Sequence, residues 1–157
     1  MKKLIYIEDA FISTDECLNF IDLSLSNQGN EMAYGSENRG GNTYLTIVDW
    51  KYHVVKRVND LCKSFDTTAN LDYVGVVRWP AGTFMKPHFD DKPDIFAAVL
   101  YLNNDFTGGH TCLPGFEVKP EPGKLIVFSN SHYLHHVSKV ECGERFVLSF
   151  WYTPTIN

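Results

Sequence analysis

The sequence has no long apolar stretch: of its 157 residues the longest such run is 95–102, far short of the roughly 20 residues a membrane-crossing helix needs. No membrane association is therefore expected. Nor is there a Cys-x-x-Cys. Cys17, Cys62, Cys112 and Cys142 stand far apart, which argues against a zinc knuckle or a redox dithiol and suggests reduced, mostly buried thiols. Positive charge is scarce as well, 14 Lys+Arg against 19 Asp+Glu for a formal net charge of −5, so no overall field draws the chain onto nucleic acid. Lys2-Lys3 precede only Leu4-Ile5-Tyr6-Ile7 before Glu8-Asp9, too few apolar residues for a signal-peptide core, and the expected location is the cytoplasm.

What the chain does have is 44% hydrophobic and 14% aromatic residues, enough for a real core. Its length suits one domain, 1–157, with no repeat or Pro/Ser linker to divide it. The first part, 1–70, reads as helical support behind a short opening strand at 4–7. Ser13-Thr14-Asp15-Glu16 has capping-box spacing and predicts a helix carrying Cys17, Leu18, Ile21 and Leu25 inward. Asp49 is a second candidate cap, ahead of Trp50, Val54, Val58, Leu61, Cys62 and Phe65 at helical spacing, and predicts a helix over 49–65. Between them, the glycine-rich segment 35–42 reads as a mobile loop that can act as a lid.

From Tyr73 the pattern changes to short β-branched and aromatic runs divided by Gly, Pro, Asn and Asp: 73–79, 86–90, 95–102, 110–113, 116–118, 125–128, 132–137 and 146–152. Eight short strands at such intervals predict an antiparallel sandwich. The expected fold is an all-β core of jelly-roll type, the double-stranded β-helix, over 71–157, with the N-terminal helices packed on one sheet.

Chemistry concentrates in this second part. In a strand, residues two apart point the same way, so His88 and Asp90 form a two-toothed metal clamp. A third ligand must come from elsewhere, and His132, His135 and His136 are the only other concentration of histidine. Two histidines and one carboxylate with open positions suit non-heme Fe(II), although zinc tolerates the same donors. Arg145 opens the last strand with no obvious acidic mate. Its planar fork suits a carboxylate, and the economical partner is a cosubstrate that also reaches the metal. Val147, Ser149 and Trp151 alternate with Arg145 and should line the same pocket, while Phe146, Leu148 and Phe150 pack on the opposite face. His53 reads as a surface residue.

These motifs together resemble the 2-oxoglutarate- and Fe(II)-dependent dioxygenases, in particular their prolyl 4-hydroxylase branch. Arg78-Trp79-Pro80-Ala81-Gly82 followed by His88-Phe89-Asp90 is similar to that branch's Arg-Tyr-x-x-Gly and His-x-Asp. Val99-Leu100-Tyr101-Leu102-Asn103, Gly108-Gly109-His110-Thr111, Pro122-Gly123 with 124–128, and His135 through Gly143-Glu144-Arg145 follow in the family's order. The resemblance implies that His88, Asp90 and His135 ligate Fe(II), His135 because it stands ten residues before Arg145, while strand alternation turns His136 away. It implies that Arg145 and Tyr101 hold the far carboxylate of 2-oxoglutarate, that O2 is consumed and that ascorbate assists. Trp79 stands where the family commonly has a tyrosine near the metal end of the cosubstrate; an indole donates only one hydrogen bond. The implied substrate is a proline-containing protein or peptide. A free amino acid is the alternative, and a cupin-type metal-binding module without redox chemistry is the rival of another class. The oligomeric state is not legible.

Overall fold

Alternation of apolar and polar side chains becomes sheet because each face finds its own core. The computed structural model describes residues 3–35 and 37–155. In chain order the elements are β1 (Ile5–Glu8), α1 (Thr14–Ser26), β2 (Met32–Tyr34), β3 (Arg39–Gly40), β4 (Thr43–Ile47), α2 (His53–Phe65), β5 (Ala69–Trp79), β6 (Phe84–His88), β7 (Phe96–Tyr101) and β8 (Thr107–Gly108). There follow β9 (Thr111–Leu113), β10 (Phe116–Val118), β11 (Leu125–Phe128), β12 (His135–Val137), β13 (Val140–Cys142) and β14 (Arg145–Pro154).

A seven-stranded sheet in the order β1-β11-β7-β14-β5-β4-β2 faces a five-stranded sheet in the order β10-β9-β12-β6-β3, and β13 pairs with β8. All these pairings are antiparallel, as the jelly-roll expectation requires. The helices lie on the outer face of the larger sheet. There Cys17, Phe20, Val54, Val55, Val58 and Cys62 meet Val74, Val76, Phe96, Ala98, Leu100, Leu148 and Phe150. Val77, Trp79, Ala97, Tyr101, Ile126, Phe128 and Val147 turn the other way, into the space between the sheets, with Val137 from β12.

The capping box forms: the Ser13 side chain accepts from the Glu16 amide, and the Glu16 carboxylate accepts from the Ser13 amide. The buried stripe of α1, however, is Cys17, Phe20 and Ser24; Leu18 and Leu25 are 51% and 44% exposed. Both sets obey a 3.6-residue period, and the sheet selects the one rotated toward its surface. Asp49 does not cap α2. Its carboxylate accepts from the Lys51 amide in a local turn, and the helix starts only at His53.

Residues 1–70 hold more than helices. Thr43–Ile47 pairs in register with β5, placing Thr46 opposite Val76, and Met32–Tyr34 extends the sheet beyond it. Their alternating β-branched and aromatic residues carried the strand signal that a helical reading of this region passes over. Part of the expected loop, residues 38–40, is tied down as well: Arg39 and Gly40 pair with Met85 and Phe84, and the Lys86 amide donates to the Asn38 carbonyl. Ser36, within the expected lid, lies outside the described residues.

Candidate metal centre

β12 and β6 place His135 directly opposite His88. Their ring centroids are 4.4 Å apart, and each Nδ1 lies on a backbone carbonyl, that of Lys86 for His88 (2.7 Å) and that of Tyr133 for His135 (2.8 Å). A carbonyl can only accept, so both Nδ1 atoms carry hydrogen and both Nε2 atoms face inward. Asp90 lies just beyond the end of β6, so strand alternation is not what aims it. Its amide donates to the Asn130 carbonyl at 2.9 Å, and Asn130 Nδ2 donates to Asp90 Oδ2 at 2.8 Å. That grip leaves Oδ1 for the imidazoles, 3.0 Å from His88 Nε2 and 3.4 Å from His135 Nε2. The three donor atoms lie within 4.8 Å of one another.

Burial alone would raise the pKa of Asp90, but hydrogen bonds from His135 and His88 outweigh it and hold the carboxyl well below the usual range. His88 is shifted up, chiefly by its hydrogen bond to Asp90. Two imidazole nitrogens and a carboxylate oxygen converging in this way fit a divalent transition metal.

The same cavity, about 270 Å³, is bordered by Arg145, Trp79, Thr111, Ser149 and Trp151 as well as the three ligand candidates. Arg145 is 1% exposed, and among the described residues no carboxylate pairs with it. Its Nε donates to the Gly109 carbonyl (2.9 Å) and an Nη to Thr111 Oγ1 (3.2 Å), while its Cζ sits 4.7 Å from the Trp79 ring centroid. Gly109 has φ +65°, and a Cβ there would come within 3.0 Å of Arg145 Cδ, so a glycine is required for the guanidinium to pack. Burial pushes the Arg145 pKa down, the mark of a cation lacking its anion. A ligand carboxylate fits that deficiency.

Tyr101 is fully buried but does not border the cavity. Its phenol oxygen accepts from the Thr111 amide (3.0 Å) and shares a hydrogen with Thr111 Oγ1 (2.5 Å), so Thr111 is the hydroxyl at the cavity wall. Trp79 is 4% exposed, with a buried Nε1 that has no partner. Ser149 and Trp151 border the cavity as their alternation predicted; Val147 packs into the core below. His136, expected on the opposite face, borders the cavity too; the β12–β6 pairing shifts register beside it. His132 shares a hydrogen bond with Ser131, and His53 is exposed at the start of α2. Neither borders the cavity. Sequence reasoning missed Asn130, Thr111, Arg39 and Tyr34. Only Thr111 stood inside a motif, and the polar Ser129-Asn130-Ser131 after an apolar strand was the signal for Asn130.

Residues 74–153 match the model of the 2OG-Fe(II) oxygenase superfamily. A curated relative described as a putative prolyl 4-hydroxylase, from Acanthamoeba polyphaga mimivirus, is 27% identical over 120 residues, 59% of this chain and 50% of that protein. The chain thus spans about half the length of that relative. Among solved structures, a Pseudomonas putida prolyl-4-hydroxylase superposes with TM-score 0.77 at 18% identity, covering 97% of this chain and 93% of that one. The viral collagen prolyl hydroxylase of Paramecium Bursaria Chlorella virus-1, in its 2OG complex, superposes with TM-score 0.73 at 19% identity, covering 96% of each chain. These likenesses show a shared fold.

Proposed function

The chain belongs to the 2OG-Fe(II) oxygenase superfamily, and from that membership we propose that it is a prolyl 4-hydroxylase acting on a proline-containing peptide or protein. The observation that carries this reading is the pairing, on one cavity, of the His88, Asp90 and His135 donors with a buried guanidinium that has no anion. Fe(II) and 2-oxoglutarate, when bound, supply the O2-dependent oxidation of an unactivated C–H bond, with succinate and CO2 as by-products.

The protein's share is positioning. His88, Asp90 and His135 would hold the metal by three donors. Asn130 holds Asp90 so that one oxygen stays turned to the metal. Arg145 and the Thr111 hydroxyl receive the far carboxylate of 2-oxoglutarate, and Tyr101 fixes Thr111 from behind. Phe128, its ring 4.8 Å from His135, shields that imidazole from water. Trp151, stacked on Tyr73 at 4.0 Å, offers a flat apolar wall to a target ring. Ascorbate would be the reductant that keeps such a metal ferrous. The names of the relatives support a prolyl target. A free amino acid is the second reading, favoured by the cavity's 270 Å³, just under the usual range of about 300–1,000 Å³ for ligand sites.

Anaerobic protein loaded with Fe(II) and 2-oxoglutarate should show a visible charge-transfer band, and proline-containing peptides should then gain one oxygen atom by mass spectrometry. Absence of the band in metal-loaded protein would overturn the class. Succinate release stimulated by free amino acids and not by peptides would select the second reading.

A further inference from the structure

A second cation borders the same cavity. Arg39 sits on β3, whose Gly40 lies so close to the Phe84 ring that any Cβ would collide with it; the strand can therefore lie flat against β6. One Nη of Arg39 donates to the Tyr34 carbonyl (2.7 Å) and to Thr43 Oγ1 (2.9 Å), and its Cζ stands 4.7 Å from the ring centroids of both Tyr34 and Trp79. The side chain is thus held in one place. Yet no carboxylate among the described residues pairs with it, and its Nε is buried without a partner.

Arg39 and Arg145 stack on the same indole at the same distance and repel one another. A cavity that holds two unpaired guanidiniums and an unpartnered indole N–H is built for two anionic groups. Their surroundings differ. Arg145 is enclosed by Gly109, Thr111 and Tyr101. Arg39 is fastened to β6, the strand that ends in His88, and borders the cavity together with His88 and Asp90.

We propose that Arg39 is a second carboxylate receptor, taking the carboxylate of 2-oxoglutarate nearer the metal while Arg145 takes the far one. The inference rests on the 2-oxoglutarate reading above, and it gives Trp79 a role as the ring against which both guanidiniums are held.

The test is ligand binding to Mn(II)-loaded protein, followed by tryptophan fluorescence, with two probes. 2-Oxoglutarate has both carboxylate ends; oxalate chelates the metal but has no far end. Arg39→Gln should weaken both probes about tenfold, the value of one charge-assisted contact. Arg145→Gln should weaken 2-oxoglutarate by a similar factor and spare oxalate. Wild-type affinity of Arg39→Gln for both probes, or a loss confined to 2-oxoglutarate, overturns the proposal and leaves the cosubstrate reading intact. Loaded wild-type protein that takes oxalate but not 2-oxoglutarate overturns that reading, and the inference with it. Should Arg39→Gln not fold, Arg39→Lys, which keeps the charge and loses the planar fork, supports the proposal by weakening both probes alike and contradicts it by weakening neither.

Discussion

The two faces of the seven-stranded sheet are made by the same strands and do opposite things. Along β14, Phe146, Leu148, Phe150 and Tyr152 enter the core beneath the helices, while Arg145, Ser149 and Trp151 border the cavity. The outer face holds mainly apolar contacts and no buried cation; Tyr152 donates to Asn59 at 2.6 Å, and the neutral hydroxyls of Ser24 and Thr46 are its unpartnered groups. The inner face holds Arg145 without an anion and the bare indole N–H of Trp79, faces the equally unpaired Arg39 of the smaller sheet, and continues past β11 into a buried, unpartnered Asn130 Oδ1. Stability is concentrated on one side of the sheet, and unsatisfied chemistry awaiting a ligand on the other.

Substitutions should separate the faces. The largest effect is expected from Phe150→Ala on the outer face, a loss of about 3–5 kcal/mol in denaturant unfolding, with unchanged metal affinity in the folded fraction. If metal affinity fell in parallel, the two faces would not be independent. On the inner face, Asn130→Ala should lower divalent-metal affinity by about 10–100-fold, measured by competition with a chromophoric chelator, because Asp90 loses the donor that orients it. Arg145→Met should weaken 2-oxoglutarate yet raise the unfolding free energy of the ligand-free protein by about 1–2 kcal/mol, since it removes a buried, unpaired cation. A destabilised Met variant would mean that the Gly109 and Thr111 hydrogen bonds outweigh the buried charge.

The smallest effect concerns pH. Burial, then the charges of Asp90, Asp72 and Asp91, raise the Asp94 carboxyl to about 6. An acid with a raised folded pKa favours folding when protonated, so its charge costs stability as pH rises from the unfolded value near 4 through 6. Asp94→Asn should therefore stabilise the chelator-treated protein by about 1 kcal/mol at pH 8, after allowance for solvent screening of a half-buried group, and by little at pH 4. Equal gains at both pH values would show that the cause is not charge.

Much of the comparison between faces is legible in the chain. The strand 125–128 carries Leu125 and Val127 outward and Ile126 and Phe128 inward, and it forms where its β-branched run predicts. His88, Asp90 and Arg145 stood out by residue type and spacing, and His135 by its distance from Arg145. The errors fall where two local readings are equally good. The stripe of α1 was rotated because Leu18 is as apolar as Phe20, and Asp49 turned out to hold a tight turn instead of a helix. Thr43–Ile47 was passed over because a short strand between two helices gains its partner only from β5, a remote segment.

By itself, the sequence determined whatever depends on near neighbours: the two-residue alternation that sorts β14 into its faces, the Ser13 cap, and the surplus guanidinium at Arg145. Those properties arise from backbone periodicity and side-chain type, which a few consecutive residues set. Only the tertiary structure decided that His135 lies opposite His88, that Asn130 grips Asp90, that Thr111 stands between Tyr101 and the cavity, and that Arg39 shares the Trp79 ring with Arg145. Each of these joins segments far apart in the chain through contacts that have no period, and sheet order and loop closure alone bring them together.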